Sequence, residues 1–232
     1  MELYPEAIAK RGGSDKVVIA DHSMALYFPK EVAWSWRYMT DSKVFDLHRE
    51  FGNKRFAANL AKVEKFSKQG LVKGLETEMM HDGRFDFDPA FRSKFDVLIG
   101  SVHWLPENRD SCSDHALIIR NWLTHTLKLI DSGIDVIGHP FRWITYHVPS
   151  FDPAIIKQVV AHAKAAGVAV ELNSHYRIDS DAAMIREIIE QGATIAFATD
   201  SHRTEEILNF SYHENLLKSM NVKMSDLKVF AR

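Results

Sequence analysis

Cysteine is nearly missing from this chain. Cys112 stands alone among 232 residues, which excludes an internal disulfide and any zinc site built from thiolates. Charge of one sign is missing too: 29 Lys and Arg face 31 Asp and Glu, so there is no basic field of the kind that draws nucleic acid or anionic membrane. The expected partners are small molecules. No stretch approaches the roughly 18 uninterrupted apolar residues of a membrane helix. The opening "MELYPEAIAK" carries no apolar run like that of a secretory leader, and the expected compartment is the cytoplasm. Linkers rich in Ser and Gly are absent, as are low-complexity tracts.

What is present is a hydrophobic content of 46% in a length that suits one large domain, residues 1–232, because α/β barrels routinely use this length without splitting. Short β-branched runs alternate with longer segments of helical period, which predicts parallel βαβ units. The runs are "KVVIAD" (16–21), "GLVKGLETE" (70–78), "FDVLIGSVH" (95–103), "IDVIGH" (134–139), "GVAVELN" (167–173) and "ATIAFATD" (193–200). Helices are predicted near 3–11, 43–68, 114–131, 153–166 and 180–191. Turn signals close three of them: "DSG" at 131–133, "AAG" at 165–167 and "QG" at 191–192.

The polar residues of these runs sit at their C-terminal ends. His22 follows the first run, Glu76 lies near the end of the second, and His103 and His139 end the third and fourth. Glu171 and Asn173 come late in the fifth, and Asp200 and His202 close the sixth. Successive markers stand about 30 residues apart, the length of one strand, one helix and their loops. In a parallel barrel all such ends open on one face, where βα loops build active sites. Imidazoles and carboxylates gathered there are suitable ligands for zinc, manganese or iron, and a carboxylate can bridge two ions. Alternation puts Glu76 and Glu78 on one strand face and Leu75 and Thr77 on the other. Of the two glutamates, Glu76 is the candidate.

Taken in order, "ADHS" (20–23), "GLE" (74–76), "GSVH" (100–103), "GHP" (138–140), "ELN" (171–173) and "TDSH" (199–202) resemble the motif series of the polymerase and histidinol phosphatase (PHP) superfamily. The resemblance covers nearly the whole chain. It implies a distorted TIM-like (β/α)7 barrel with up to three divalent metal ions. Glu76, His103 and His139 would hold one ion, His22 and His202 another, and Asp200 would serve the third, with Glu76 bridging. Catalytic roles fall to Asp200, His202 and Glu76. The chain departs from the family at its start, because the strand carrying a His-x-His pair is not in the sequence. Either the protein begins roughly twenty residues upstream, the usual length of a strand and loop, or the site is partly degenerate. The later ligands all stand, so a displaced start is the preferred reading, with fewer than three ions expected in this chain.

The reaction implied is hydrolysis of a small phosphate monoester, as in histidinol phosphatases, by a hydroxide generated on clustered ions. Arg142, Arg177 and Arg203 each closely follow a strand end, and an Arg fork matches phosphate geometry. Arg177 and Arg203 are preferred over Arg142. The alternatives are a non-catalytic protein that binds a phosphorylated ligand, or a nuclease-type phosphodiesterase. Cys112 lacks the electropositive setting of a reactive thiol, and Ser113-Asp114 is expected to start a helix instead. The remaining histidines, His125, His162, His175 and His213 among them, are expected mostly at the surface. The aromatic stretch "ALYFPKEVAWSWRYM" (25–39) directly follows His22. It is expected either to wall the site against an organic leaving group or to pack as an inserted segment.

Overall fold

A computed structural model describes residues 4–11, 17–67 and 69–231. The expected first helix and first strand run reach residues 3 and 16, which lie outside the described residues. The chain divides into two compact units, one running to His103 and the other from Trp104 to Ala231.

The first unit contains helix α1 (Tyr4–Arg11), strand β1 (Val17–His22), the short helices α2 (Ser23–Tyr27), α3 (Lys30–Ala33) and α4 (Ser42–Leu47), the long helix α5 (Arg49–Ser67), and strands β2 (Leu71–Thr77) and β3 (Val97–Gly100). β1 pairs with β2, and β2 with β3, both in parallel. The register sets His22 directly opposite Glu76. The long helix expected over 43–68 is broken at His48, whose Nδ1 meets the Val44 carbonyl at 2.8 Å. A side chain that bonds one turn back competes with continuation of the helix. Asp41 caps α4 by accepting from the Lys43 amide at 3.0 Å.

The aromatic 25–39 stretch sends three of its five rings into the core, leaving Trp34 exposed and Trp36 half-buried. Tyr27, Phe28 and Tyr38 are wholly buried. Tyr27 stacks on Phe45 with ring centroids 4.5 Å apart, and Phe28 on Tyr38 at 4.3 Å. Helix α5 reaches this cluster through Gly52, where an added Cβ would lie 2.5 Å from the Tyr27 ring. The absent side chain is what permits the approach.

The second unit contains helix α6 (His115–Ile130), strand β4 (Val136–Ile137), helices α7 (Arg142–His147) and α8 (Ala154–Ala166), strand β5 (Ala169–Asn173), helix α9 (Asp181–Gln191), strand β6 (Thr194–Ala198), helix α10 (Ser211–Ser219) and strand β7 (Lys228–Val229). Its strands pair in parallel in the order β4, β5, β6, β7. Asp114 caps α6, accepting from the Leu117 amide at 3.0 Å, as the sequence suggested. Gly167 and Gly192 end α8 and α9 with φ of 73° and 65°, the left-handed C-cap that glycine adopts without strain. Apolar faces of α6, α8 and α9 bury Trp122, Leu129, Val159, Val160 and Ile185 together with Val170, Leu172 and Ile195 of the strands.

Each unit is therefore of the α/β class, with only parallel pairings between its strands. Among the described residues, no helix is long and apolar enough to cross a membrane.

Candidate metal centre

In the first unit His22, Glu76 and His103 converge. One ligand atom from each lies within 4.8 Å of the others. The His22 Nδ1 is 3.1 Å from Glu76 Oε2, and the His103 Nε2 is 3.5 Å from Glu76 Oε1. The glutamate thus presents one oxygen to each imidazole. β1 and β2 bring the first two together by register; His103 arrives on the loop after β3.

Glu78 supports this arrangement. It is 2% exposed, and its Oε1 accepts from both the backbone amide of His103 at 2.9 Å and the ring Nδ1 at 2.5 Å. With the proton held on Nδ1 the lone pair stays on Nε2, the atom that faces Glu76. Histidine ligands are commonly oriented by such a carboxylate behind them. A further buried carboxylate, Asp86, accepts from Ser23 Oγ at 2.5 Å, Thr77 Oγ1 at 2.6 Å and the Glu78 amide at 3.1 Å. Complete burial pushes Asp86 up to about 7, although the two hydroxyls and the amide hold it down and only the Glu78 charge adds to the rise. These residues line one pocket, with Met24 among its walls: His22, Ser23, Glu76, Thr77, Glu78, Asp86 and His103.

The donor set of two imidazoles and a carboxylate, with an oriented histidine, fits a divalent transition ion such as zinc or manganese. Trp36 stands beside it, its ring 6.5 Å from that of His103 and nearly parallel to it at 17°. Its backbone is in the left-handed region at φ 55°, where a bulky residue is strained, and strain of this kind gathers at functional sites.

In the second unit β5 is buried throughout, including Glu171 and Asn173. Glu171 Oε2 accepts from the His139 amide at 2.7 Å and from Asn173 Nδ2 at 3.1 Å, and the same Nδ2 donates to Asp200 Oδ2 at 3.2 Å. This chain of bonds ties the loop after β4 to the loop after β6. His139 and Asp200 both have positive φ, 27° and 44°, held there by that network. His202 Nδ1 meets the Asp200 carbonyl at 2.8 Å. Its backbone amide donates to Glu206 Oε2 at 2.7 Å, and its ring lies 4.6 Å from that of His175.

The three arginines differ. Arg142 lays its guanidinium 3.3 Å from the centre of the Tyr176 ring, and Tyr176 packs edge-on to His139 at 6.1 Å, so Arg142 is held beside a candidate ligand. Arg177 is exposed and sits over Tyr212 at 5.0 Å. Arg203 is exposed at the head of a 3-10 turn.

The sequence-derived set is thus distributed: His22, Glu76 and His103 meet in the first unit, while His139, Asp200, His202 and the arginines belong to the second. Sequence reading passed over Glu78, Asp86, His175, Glu206 and Tyr176. The period-2 face shared by Glu76 and Glu78 was the available signal for Glu78. His213 and His125 correct the expectation of surface histidines. His213 is buried, with Nε2 2.9 Å from the Leu172 carbonyl, and burial holds it below the usual histidine range. Burial, aided by Lys128, lowers His125 to about 4.

No family model matches the chain. Among curated proteins it is similar to the DNA polymerase/3'-5' exonuclease PolX of Bacillus subtilis, 26% identical over 202 residues, which are 86% of this chain and 31% of that protein. A protein of Aeromonas salmonicida named "Probable phosphatase" is 31% identical over 160 residues, 64% of this chain and 58% of its own length. Another of that name from Caldanaerobacter subterraneus is 27% identical over 168 residues, 68% and 61% of the two chains. The chain therefore spans about three fifths of these phosphatases and less than a third of the polymerase.

Proposed function

We propose that this chain, a member of the PHP superfamily by its ordered motifs and its relatives, is a metal-dependent hydrolase of small phosphate monoesters. The observation that carries this reading is the convergence of His22, Glu76 and His103 with Glu78 behind His103. A divalent ion held there supplies Lewis acidity and a bound water of lowered pKa. The chain's own part is to hold its donors in place. Glu76 divides its two oxygens between the imidazoles, and Glu78 keeps the His103 proton on Nδ1. In the second unit Asn173 fixes Asp200 against Glu171, and Arg142, spread on Tyr176 beside His139, offers a planar fork to a phosphate oxygen. Arg177 and Arg203, both exposed, are available for a longer substrate.

The phosphatases' similarity favours a monoester. The similarity to PolX covers more of this chain and favours a second reading, a phosphodiester of the kind an exonuclease cleaves. Release of 4-nitrophenol from its phosphate monoester and from the bis ester separates the two, assayed with added zinc, manganese or iron(II) and after chelation. The first reading expects metal-dependent turnover of the monoester, reduced at least a hundredfold by Glu76→Ala or His139→Ala. Turnover that survives both substitutions, or chelation, would sink it. Preference for the bis ester would move the assignment to the second reading.

A further inference from the structure

We infer that His175, His202 and Glu206 form an outer divalent-cation site in the second unit, selective for a zinc-like ion and built around a histidine that the proposed reaction also uses. One ligand atom of each lies within 4.8 Å of the others, and none of the three belongs to the first unit's group. Each is held in place by a bond within its own segment. Glu206 Oε2 accepts the amides of His202 at 2.7 Å and Arg203 at 3.1 Å, which pins the carboxylate across its own turn. Its other oxygen, Oε1, lies 3.3 Å from His175 Nδ1. The Asp200 carbonyl holds the proton of His202 on Nδ1 at 2.8 Å, so the lone pair is on Nε2. His175 is set by its backbone, whose amide donates to Asn173 Oδ1 at 2.9 Å.

Bonds of about 2.0–2.1 Å to zinc put tetrahedral donors about 3.3 Å apart. Donors no more than 4.8 Å apart have to approach by up to about 1.5 Å, which side-chain rotation supplies. His175 and Glu206 are 22% and 28% exposed in their side chains, so both have room to rotate. Two imidazole nitrogens select zinc over magnesium or calcium, which prefer oxygen. Three protein donors leave the fourth position to water.

Occupation has a consequence that rests on the proposed function: an ion gripped by His175 and Glu206 withdraws His202 from the reaction, so zinc in excess of the activating amount inhibits.

Calorimetric titration of the full chain with zinc chloride tests the site itself, backed by the visible absorption of cobalt(II). The variants are His175→Ala and Glu206→Gln, the latter retaining an oxygen to accept the amides of His202 and Arg203. Each variant is expected to lose one binding event, or to weaken it at least tenfold, while its melting temperature without metal stays within about 2 °C of the parent. Unchanged stoichiometry and affinity in both variants would overturn the site. These readouts do not involve phosphate release, so they stand whether or not the chain proves to be a phosphatase. If turnover is found, the His175→Ala variant should tolerate more zinc before inhibition sets in. Inhibition at the parent's zinc concentration would remove the regulatory role and leave only the binding site.

Discussion

Glu78 Oε1 takes two bonds from His103, one from the backbone amide at 2.9 Å and one from the ring Nδ1 at 2.5 Å. A single buried carboxylate therefore fixes both where His103 sits and which nitrogen faces Glu76. Loss of such an outer partner typically weakens a metal site by 10- to 100-fold. Glu78→Gln is expected to lower zinc affinity at the His22, Glu76 and His103 group by about that factor, read by calorimetry. Glu78→Ala adds a loss of fold stability of about 1–3 kcal/mol, because the His103 donors are left without their acceptor. Equal affinity in Glu78→Ala and the parent would remove Glu78 from any role in orienting His103.

Asp181, in the first turn of α9, is 4% exposed and accepts from the Tyr212 hydroxyl at 2.6 Å. Burial raises its carboxyl from 3.8 to about 6; Tyr212 and the Ile178 amide oppose the rise, and the Asp179 charge adds to it. The folded state thus binds more protons than the unfolded one between those values. Its contribution is fully present below about 4 and is lost as pH rises through about 6, a change on the order of 3 kcal/mol. Asp181→Asn should flatten the dependence of the urea midpoint on pH between 4 and 7. An undiminished slope in the variant would assign the pH dependence to other groups, Asp86 first.

Two opposed effects meet at Gly52. Alanine in a helix is favoured over glycine by about 1 kcal/mol. Its Cβ, however, would lie 2.5 Å from Tyr27, whose ring is clamped by Phe28, Phe45 and Phe56. Overpacking of this kind costs about 1–3 kcal/mol, and a ring held on three sides puts the cost toward the upper end. Gly52→Ala is expected to lower the melting temperature by about 2–6 °C. A rise would mean that the aromatic cluster shifts at little cost.

Trp34 and Trp36 are the rings of the aromatic stretch left outside the core. The Trp36 ring parallels that of His103 at 6.5 Å, and Trp34 beside it is 62% exposed. On the proposed function, an aryl leaving group stacks there. Trp36→Ala should raise KM for 4-nitrophenyl phosphate by roughly 2- to 10-fold, the worth of one aromatic pair, and leave glycerol phosphate nearly unchanged. An equal effect on both substrates would make Trp36 a packing residue.

Much of this architecture can be read along the chain. Hydrophobic period distinguishes strands from helices, and the positions of His22, Glu76, Glu171 and Asp200 at the ends of apolar runs are properties of the linear order. Gly167 and Gly192 mark where α8 and α9 stop because a left-handed cap requires little else. Helices α2, α3 and α7 escaped because they are short, and one or two turns carry too little periodicity to separate from a loop.

The choice of partners belongs to the fold. Alternation put Glu76 and Glu78 on one face, but it could not say that Glu76 would share its oxygens between His22 and His103 while Glu78 held His103 from behind. Parallel register and the path of the loop after β3 decided that. His175 and Glu206 gave no signal at all, since each looks like an ordinary loop residue until the turns after β5 and β6 set their side chains beside His202. Burial made the same decision for His213 and Asp86. A residue's type fixes which bonds it is able to form; only three-dimensional packing, by excluding water and bringing distant segments together, determines which of them it does form.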